Sequence, residues 1–104
     1  MAFKVLFLSH APDADYKQHN SKIDTGKYRL FTYVVKSQVE AVTISKKIYA
    51  EEKIDAILLC PGFSNGDVAE IFDVLEGKVS VNVARGDGPS SRIVQAVIKR
   101  EYHS

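Results

Sequence analysis

The sequence predicts an α/β fold: a small open, mainly parallel sheet of four strands with helices on its faces. The first reason is that apolar runs of strand length alternate along the chain with segments of helical periodicity. The second is that turns containing glycine and proline follow two of the predicted strands. The third is the length of 104 residues, which favours a single domain over residues 1–104.

Four segments have the composition of strands. Phe3–Ser9 is almost continuously apolar, as expected of an interior parallel strand that is covered on both faces. Tyr28–Val35 is rich in aromatic and β-branched residues, and the alternation in its first half predicts an edge strand. The remaining two predicted strands are Ile54–Cys60 and Lys78–Ala84.

Three segments have the pattern of helices. Ser37 and Glu40 have capping-box spacing at the start of a helix that extends to about Glu52. In the next two helices, apolar residues recur at helical spacing, so each helix has one apolar stripe to bury. These stripes are Val68, Ile71, Phe72 and Leu75 in the second helix, and Ile93, Val94, Val97 and Ile98 in the third.

The polar segment His10–Lys27 fits neither pattern, apart from a short helix over Asp13–His19. The alternation of the other elements implies right-handed crossovers between parallel strands. We therefore expect the order 2-1-3-4, counting only the four predicted strands, in a flavodoxin-like or Rossmann-like sheet.

Composition and charge exclude several classes of function. A formal net charge of +1 leaves no surplus of basic residues for neutralising phosphates, so we expect no nucleic-acid partner. No apolar stretch is long enough to span a membrane, and the N-terminal apolar run is too short for a secretory signal. We expect no membrane partner, a cytoplasmic location and no cofactor. The single cysteine excludes a disulfide within the chain.

A small-molecule site is predicted at the carboxyl edge of the sheet. Ligands of open α/β sheets bind outside the carboxyl ends of the strands, near the point where the strand order reverses. Three connections of this chain begin there. Their predicted ligand-binding residues are Ser9, His10, Gly62, Phe63, Ser64, Asn65, Arg85, Gly86, Asp87, Gly88, Ser90 and Ser91. The alternative is that these residue types serve only the tight turns.

The segment Val79–Arg92 gives this site its expected chemistry. A β-branched strand leads into a turn rich in glycine and serine, and a helix opens directly behind it, beside Arg85 and Arg92. Helix N–H groups, hydroxyls and guanidinium groups bind anions, so we expect a small anionic ligand such as phosphate. The glycine spacing matches neither a P-loop nor a dinucleotide fingerprint. Asp87 opposes an anion unless it pairs with one of the two arginines.

Cys60 offers an alternative function. It lies at a strand end, before a helix N-terminus whose dipole favours the thiolate. His10 lies across the predicted switch point and is the candidate general base, so the alternative is a cysteine-dependent enzyme using Cys60 with His10. The simpler interpretation is that Cys60 is a buried structural thiol.

A metal site is not predicted. His10, Asp13, Asp15 and His19 form a local cluster of metal-ligating residue types. Their spacing matches no metal-binding motif, and polar loops are often rich in these residues.

Three segments resemble one family of short, uncharacterised microbial proteins. They are Val5–Pro12, with an apolar strand followed by an Ala-Pro turn, Ile57–Phe63, and Val81–Arg85. The likeness covers nearly the whole chain. Since that family is a domain of unknown function, the resemblance implies a fold and the importance of the Cys60 turn, but no activity. Pro61 stands where that family often has glycine, and proline has no N–H to offer a ligand.

Association with further copies of the chain is also expected. A small domain buries a limited fraction of its surface and gains from a shared interface. An edge strand at Tyr28–Val35 would leave N–H and C=O groups unpaired beside Tyr28, Phe31 and Tyr33. We therefore predict a homodimer or larger homo-oligomer, and a structural subunit without a ligand is the third alternative for function.

Overall fold

A computed structural model describes residues 1–102 and shows five strands and three helices. The strands are β1 (Phe3–His10), β2 (Asn20–Asp24), β3 (Tyr28–Val35), β4 (Ala56–Leu59) and β5 (Ser80–Val83). The helices are α1 (Gln38–Glu52), α2 (Asn65–Val74) and α3 (Ser91–Tyr102). The predicted α/β class is confirmed.

The strands form one mixed sheet in the order β2-β3-β1-β4-β5. β1 lies at the centre and pairs in parallel with β3 and β4, and β4 pairs in parallel with β5. The four predicted strands keep their predicted order. The expected four-strand sheet is nevertheless incomplete, because β2 adds a fifth, antiparallel strand outside β3.

β2 was not predicted from the sequence because it is polar and has no alternation of apolar residues. All five of its residues are exposed, so it buries no face that could have left a pattern. A hairpin turn joins it to β3, with Gly26 at a φ of 97° and its N–H donating to the Asp24 carboxylate at 2.8 Å. Tyr28–Val35 is consequently an interior strand, and the predicted edge position is wrong.

α1 and α2 cover one face of the sheet and form the core with it. Leu6 and Leu8 of β1 contribute from the sheet, and Ile44 and Ile71 contribute from the two helices, all at most 1% exposed. The capping box predicted at Ser37 is half formed, since the Ser37 hydroxyl accepts the Glu40 N–H at 3.2 Å. Of the stripe predicted for the second helix, Ile71 and Leu75 are buried, whereas Phe72 is 43% exposed, so the prediction is wrong for Phe72.

Within residues 1–102 the opposite face has no helix over it, so the expectation that β1 is covered on both faces is wrong. Residues at alternate strand positions point to the same face, and register pairs continue that face onto the next strand. We call the resulting surface the open sheet face. Its residues are Phe3, Val5, Phe7 and Ser9 of β1, Tyr28, Leu30, Thr32 and Val34 of β3, Ala56 and Leu58 of β4, Ser80 and Asn82 of β5, and Ser21 and Ile23 of β2.

α3 lies on neither face of the sheet. None of its residues is buried, and its apolar stripe is exposed, from 71% at Ile93 to 37% at Ile98. The prediction that this stripe is a buried face is therefore wrong within the described chain. The molecule measures 42 × 27 × 25 Å.

The remaining predictions concern short segments. Asp13–His19 forms turns rather than the predicted helix, held by hydrogen bonds such as that from the Asp15 N–H to His19 Nδ1 at 2.9 Å. Residues 103 and 104 lie outside the described residues.

Among the described residues, no helix combines the length and apolar character needed to cross a membrane.

Candidate functional site

A cleft of about 780 Å³ lies at the carboxyl ends of β4 and β5. The turn after β4 and the turn after β5 form two of its walls, and one side of α3 forms the third. We call it the carboxyl-edge cleft. It is lined by Pro61, Gly62, Phe63, Val83, Ala84, Arg85, Gly86, Asp87, Ser90, Ser91, Val94, Gln95 and Ile98.

Seven of the twelve predicted ligand-binding residues line this cleft. They are Gly62, Phe63, Arg85, Gly86, Asp87, Ser90 and Ser91. The other five lie elsewhere. Ser9 points to the open sheet face, while His10 lies behind Phe63. Ser64 and Asn65 begin α2, and Gly88 is exposed in its loop with nothing near its Cβ position.

The lining residues that the sequence analysis missed are mostly apolar. Val83 ends β5, and Val94 and Ile98 come from the apolar stripe of α3. Their hydrophobicity was visible, but a stripe at helical spacing is the usual mark of a helix packed on its own core. The nearby glycines, serines and arginine were predicted instead, because their backbone N–H, hydroxyl and guanidinium groups can bind an anion.

The turn after β5 is held by its own polar groups. The Ala84 N–H donates to the Leu59 carbonyl at 2.8 Å, which keeps the start of the turn beside β4. Arg85 donates to Asp87 Oδ1 from both Nε at 3.0 Å and Nη2 at 2.7 Å. The Asp87 carboxylate therefore occupies the Arg85 guanidinium, which is the group that we expected to bind an anionic ligand.

The start of α3 is also partly satisfied. The Ser91 N–H donates to the Asp87 carbonyl at 2.8 Å, and the Ile93 N–H donates to the Ser90 carbonyl at 3.1 Å. An anion gains most from a helix N-terminus whose N–H groups lack partners. Two of these donors are already engaged, so this helix start is a weaker anion site than the sequence suggests.

The turn after β4 is more firmly anchored. The Ser64 hydroxyl accepts the Asp67 N–H at 3.1 Å, and the Asp67 carboxylate accepts the Ser64 N–H at 2.9 Å, which completes a capping box. Phe63 is only 6% exposed and belongs to the core. This wall of the cleft is therefore a fixed part of the scaffold.

His10 packs behind this wall. Its ring stacks on Phe63, with ring centroids 4.1 Å apart and planes inclined by 20°. The His10 Nε2 is buried and finds no hydrogen-bond partner among the residues that the structure describes. Burial lowers the pKa of His10 below its ordinary value of 6.5, and the negative charge of Asp67 opposes this only in part. Burial therefore favours the neutral form of the ring.

Gly62 brings His10 and Cys60 together. A Cβ placed on Gly62 would lie 3.6 Å from His10 Nδ1 and 3.7 Å from Cys60 Sγ. The two predicted catalytic candidates therefore flank one glycine, and the sum of these distances is an upper limit on their separation. Cys60 is half-buried, and no hydrogen bond joins it to His10 in the described structure.

The cluster of metal-ligating types around the first loop is dispersed. His19 accepts a hydrogen bond from the Asp15 backbone, and Asp15 in turn accepts one from the Lys17 N–H. Within residues 1–102, no group of three or more histidine, cysteine, aspartate or glutamate side chains is placed to hold a metal ion.

Chemically, the cleft combines two kinds of wall. Val83, Val94 and Ile98 offer an apolar surface, and Arg85 with Asp87 offers an ion pair at the rim. Both charged side chains are largely exposed, at 85% and 63%, so solvent weakens their attraction. The arrangement suits binding of a partly apolar molecule better than it suits a buried acid–base reaction.

Comparison with known proteins identifies the family but no activity. No curated protein and no solved structure matches the chain. The sequence profile of DUF6506, described as a family of unknown function, matches residues 3–99. The predicted resemblance to an uncharacterised domain family is confirmed, and the chain belongs to this family of unknown function.

Proposed function

We propose that this protein binds a small organic molecule in the carboxyl-edge cleft. The observation that supports this most directly is the cleft itself, whose volume of about 780 Å³ falls within the usual range of ligand sites. It lies at the carboxyl edge of the sheet, where open α/β proteins bind their ligands, but at β4 and β5 rather than at the switch point between β1 and β4. The flavodoxin-like or Rossmann-like assignment and a cytoplasmic location belong to this proposal.

The ligand we propose has an apolar body and one carboxylate or phosphate group. Val83, Val94 and Ile98 would contact the apolar part, and Arg85 would hold the anionic group. Exposed ion pairs contribute little free energy, so exchanging Asp87 for a ligand carboxylate on Arg85 costs little. Bare inorganic phosphate lacks the apolar part and should bind weakly.

This proposal is tested by thermal unfolding with a series of linear carboxylates, from acetate to octanoate, and with inorganic phosphate. Anything that binds only the folded state raises the melting temperature. At constant ionic strength we expect the shift to grow with chain length, because each buried CH₂ contributes about 0.8 kcal/mol.

Two variants locate the binding. Arg85→Ala should reduce the shift for every carboxylate, whereas Arg92→Ala, which removes the same charge outside the cleft lining, should leave it unchanged. Equal shifts in wild type and Arg85→Ala would reject the role of Arg85. A shift that does not depend on chain length would reject the apolar contact.

A second candidate function is cysteine-dependent catalysis by Cys60 with His10. The observation that favours it is the position of both side chains against Gly62. A neutral His10 is in the protonation state that a general base requires. Alkylation rates of Cys60 across the neutral pH range should then fall in His10→Gln, and equal rates in the two proteins would reject this function.

A further inference from the structure

The open sheet face is unusual in carrying no charged residue at any of its strand positions. A sheet face that meets water normally alternates with charged or strongly polar side chains. Here Val5, Phe7, Leu30 and Leu58 form an apolar centre, and Leu58 is 37% exposed although its strand neighbours Ile57 and Leu59 are fully buried. Val5 is itself buried but lies outside the core cluster formed with α1 and α2.

α3 is the second apolar surface without a partner among residues 1–102. It makes no extended contact with any strand or helix, and its stripe of Ile93, Val94, Val97, Ile98 and Tyr102 is between 37% and 71% exposed. An isolated helix of this length is marginal in water unless its apolar stripe packs on something. The chain therefore presents both an uncovered sheet and an uncommitted helix.

α3 does not cover the open sheet face of its own chain. Val94 and Ile98 line the carboxyl-edge cleft with Val83, whose side chain points to the face covered by α1 and α2. At 100° per residue, the direction midway between Ile93 and Val97 lies about 100° around the helix from the direction midway between Val94 and Ile98, and neither Ile93 nor Val97 lines the cleft. These two residues remain available for another surface.

We propose that the protein is a homodimer in which α3 of each copy packs on the open sheet face of the other. A second copy is the occupant we infer because one chain carries both the open sheet face and the Ile93–Val97 side of α3, covers neither of them within residues 1–102, and a two-fold axis satisfies both at once. This proposal does not rest on the cleft binding a ligand. It replaces the edge-strand dimer expected from the sequence, since β3 is interior.

The dimensions agree with this arrangement. α3 has twelve residues and is about 18 Å long, whereas β1 with eight residues is about 26 Å long, so the helix fits along the strands. Two helices seated reciprocally would bury on the order of 1,000 Å² in total, which is the lower limit for a biological interface.

The first test is the mass in solution. Sedimentation at micromolar concentration should give twice the chain mass of 11.6 kDa. Val97→Glu on α3 and Leu58→Glu on the sheet should each raise the dimer dissociation constant about tenfold or more, because each buries a charge in the interface. Lys99→Glu, on the opposite side of α3, is the matched control and should stay dimeric. Circular dichroism checks that each variant is folded.

The second test fixes the arrangement by disulfide trapping in a Cys60→Ala background. Chains carrying Leu58→Cys, mixed with separately tagged chains carrying Val97→Cys, should form a mixed disulfide between the two tags. Three results would overturn the proposal: a monomeric wild type, preferential disulfides between two Val97→Cys chains, or an intrachain disulfide when both substitutions are in one chain.

Discussion

Helices α2 and α3 share a hydrophobic pattern but have different surroundings. Each follows a strand and a turn containing glycine and serine, and each carries an apolar stripe at helical spacing. In α2, Ile71 is fully buried although Phe72 is 43% exposed, whereas in α3 every residue of the stripe is at least 37% exposed. The comparison shows that periodicity predicts a helix without saying which surface covers it.

The difference follows from how the two helices are connected. α2 lies between β4 and β5, and these strands pair in parallel, so the crossover must return along the sheet. α3 follows the last strand, and no later strand of the described chain draws it back. The first turn of α2 is also fixed by the Ser64–Asp67 capping box, and no side-chain cap is found at the start of α3 within residues 1–102.

The largest predicted effect compares two isoleucines. Ile71→Ala should lower the free energy of unfolding by about 2–5 kcal/mol, because it leaves a cavity in the core. Ile93→Ala should lower it by about 0.5 kcal/mol or less, since its side chain is mostly in water. Urea unfolding at protein concentrations too low for association measures both. Equal losses would mean that α3 is buried within its own chain.

Gly77 and Gly88 provide the next comparison, after α2 and before α3 respectively. Gly77 has a φ of 67°, and a Cβ there would lie 3.3 Å from the Phe72 ring. Gly77→Ala should therefore cost about 1–2 kcal/mol of stability. Gly88→Ala should cost almost nothing, because nothing lies within 4 Å of its Cβ position. Thermal unfolding of the two variants gives the answer, and a loss in Gly88→Ala would contradict the open loop.

Removing the helix cap of α2 should lower the free energy of unfolding by less than Ile71→Ala or Gly77→Ala does. Ser64→Ala removes the side-chain acceptor at the start of α2 and should cost about 1 kcal/mol. Ser90→Ala, one residue before α3, is the matched variant and should leave the free energy of unfolding nearly unchanged. Should the two serines prove equally important, α3 would have a cap in solution.

The smallest predicted effect is a pH dependence confined to the α2 side. Because burial lowers the pKa of His10 below 6.5 in the folded protein, the unfolded chain binds more protons in mild acid. Stability is therefore retained above pH 6.5 and falls as the pH drops toward the lowered value. The drop between pH 7.5 and pH 5 should be smaller in His10→Gln than in wild type.

Amide exchange can locate this pH effect. Acid should increase exchange in the turn at Phe63, which stacks on His10, and should not change exchange in α3. An NMR titration of His10 with a pKa above 6.5 would contradict both the burial and the expected direction of the stability change.

Sequence reasoning succeeded where the pattern of burial matched a surface within the chain, as at Ile71 and Leu75 of the second predicted stripe and at Leu6 and Leu8 of β1. It failed for the α3 stripe, which the described chain leaves exposed, and for the side of β1 on the open sheet face, which no described helix covers. β2 was missed because an edge strand can be held by backbone hydrogen bonds alone. Its side chains, such as those of Asn20 and Ser21, therefore carry no pattern that predicts a strand. The environment of α3 was missed because its sequence does not specify a partner.

The site shows the same division. The turns at Gly62 and Arg85 were placed at the cleft from topology alone, since parallel strands bring their carboxyl ends to one edge. The ion pair between Arg85 and Asp87 was foreseen only as a condition on anion binding. The contribution of Val94 and Ile98 could not be separated from ordinary core packing without the position of α3.

Strand β2 also affects how this protein resists aggregation. Interior strands such as β3, rich in aromatic and β-branched residues, are the segments that add to other chains when they are left at an edge. β2 takes the outer position instead and presents a short strand containing Lys22 and Asp24. The other outer strand, β5, offers only four residues for pairing. Growth of the sheet by strand addition from other molecules is therefore disfavoured at both ends, and deleting β2, which leaves β3 at the edge, should increase aggregation into fibrils.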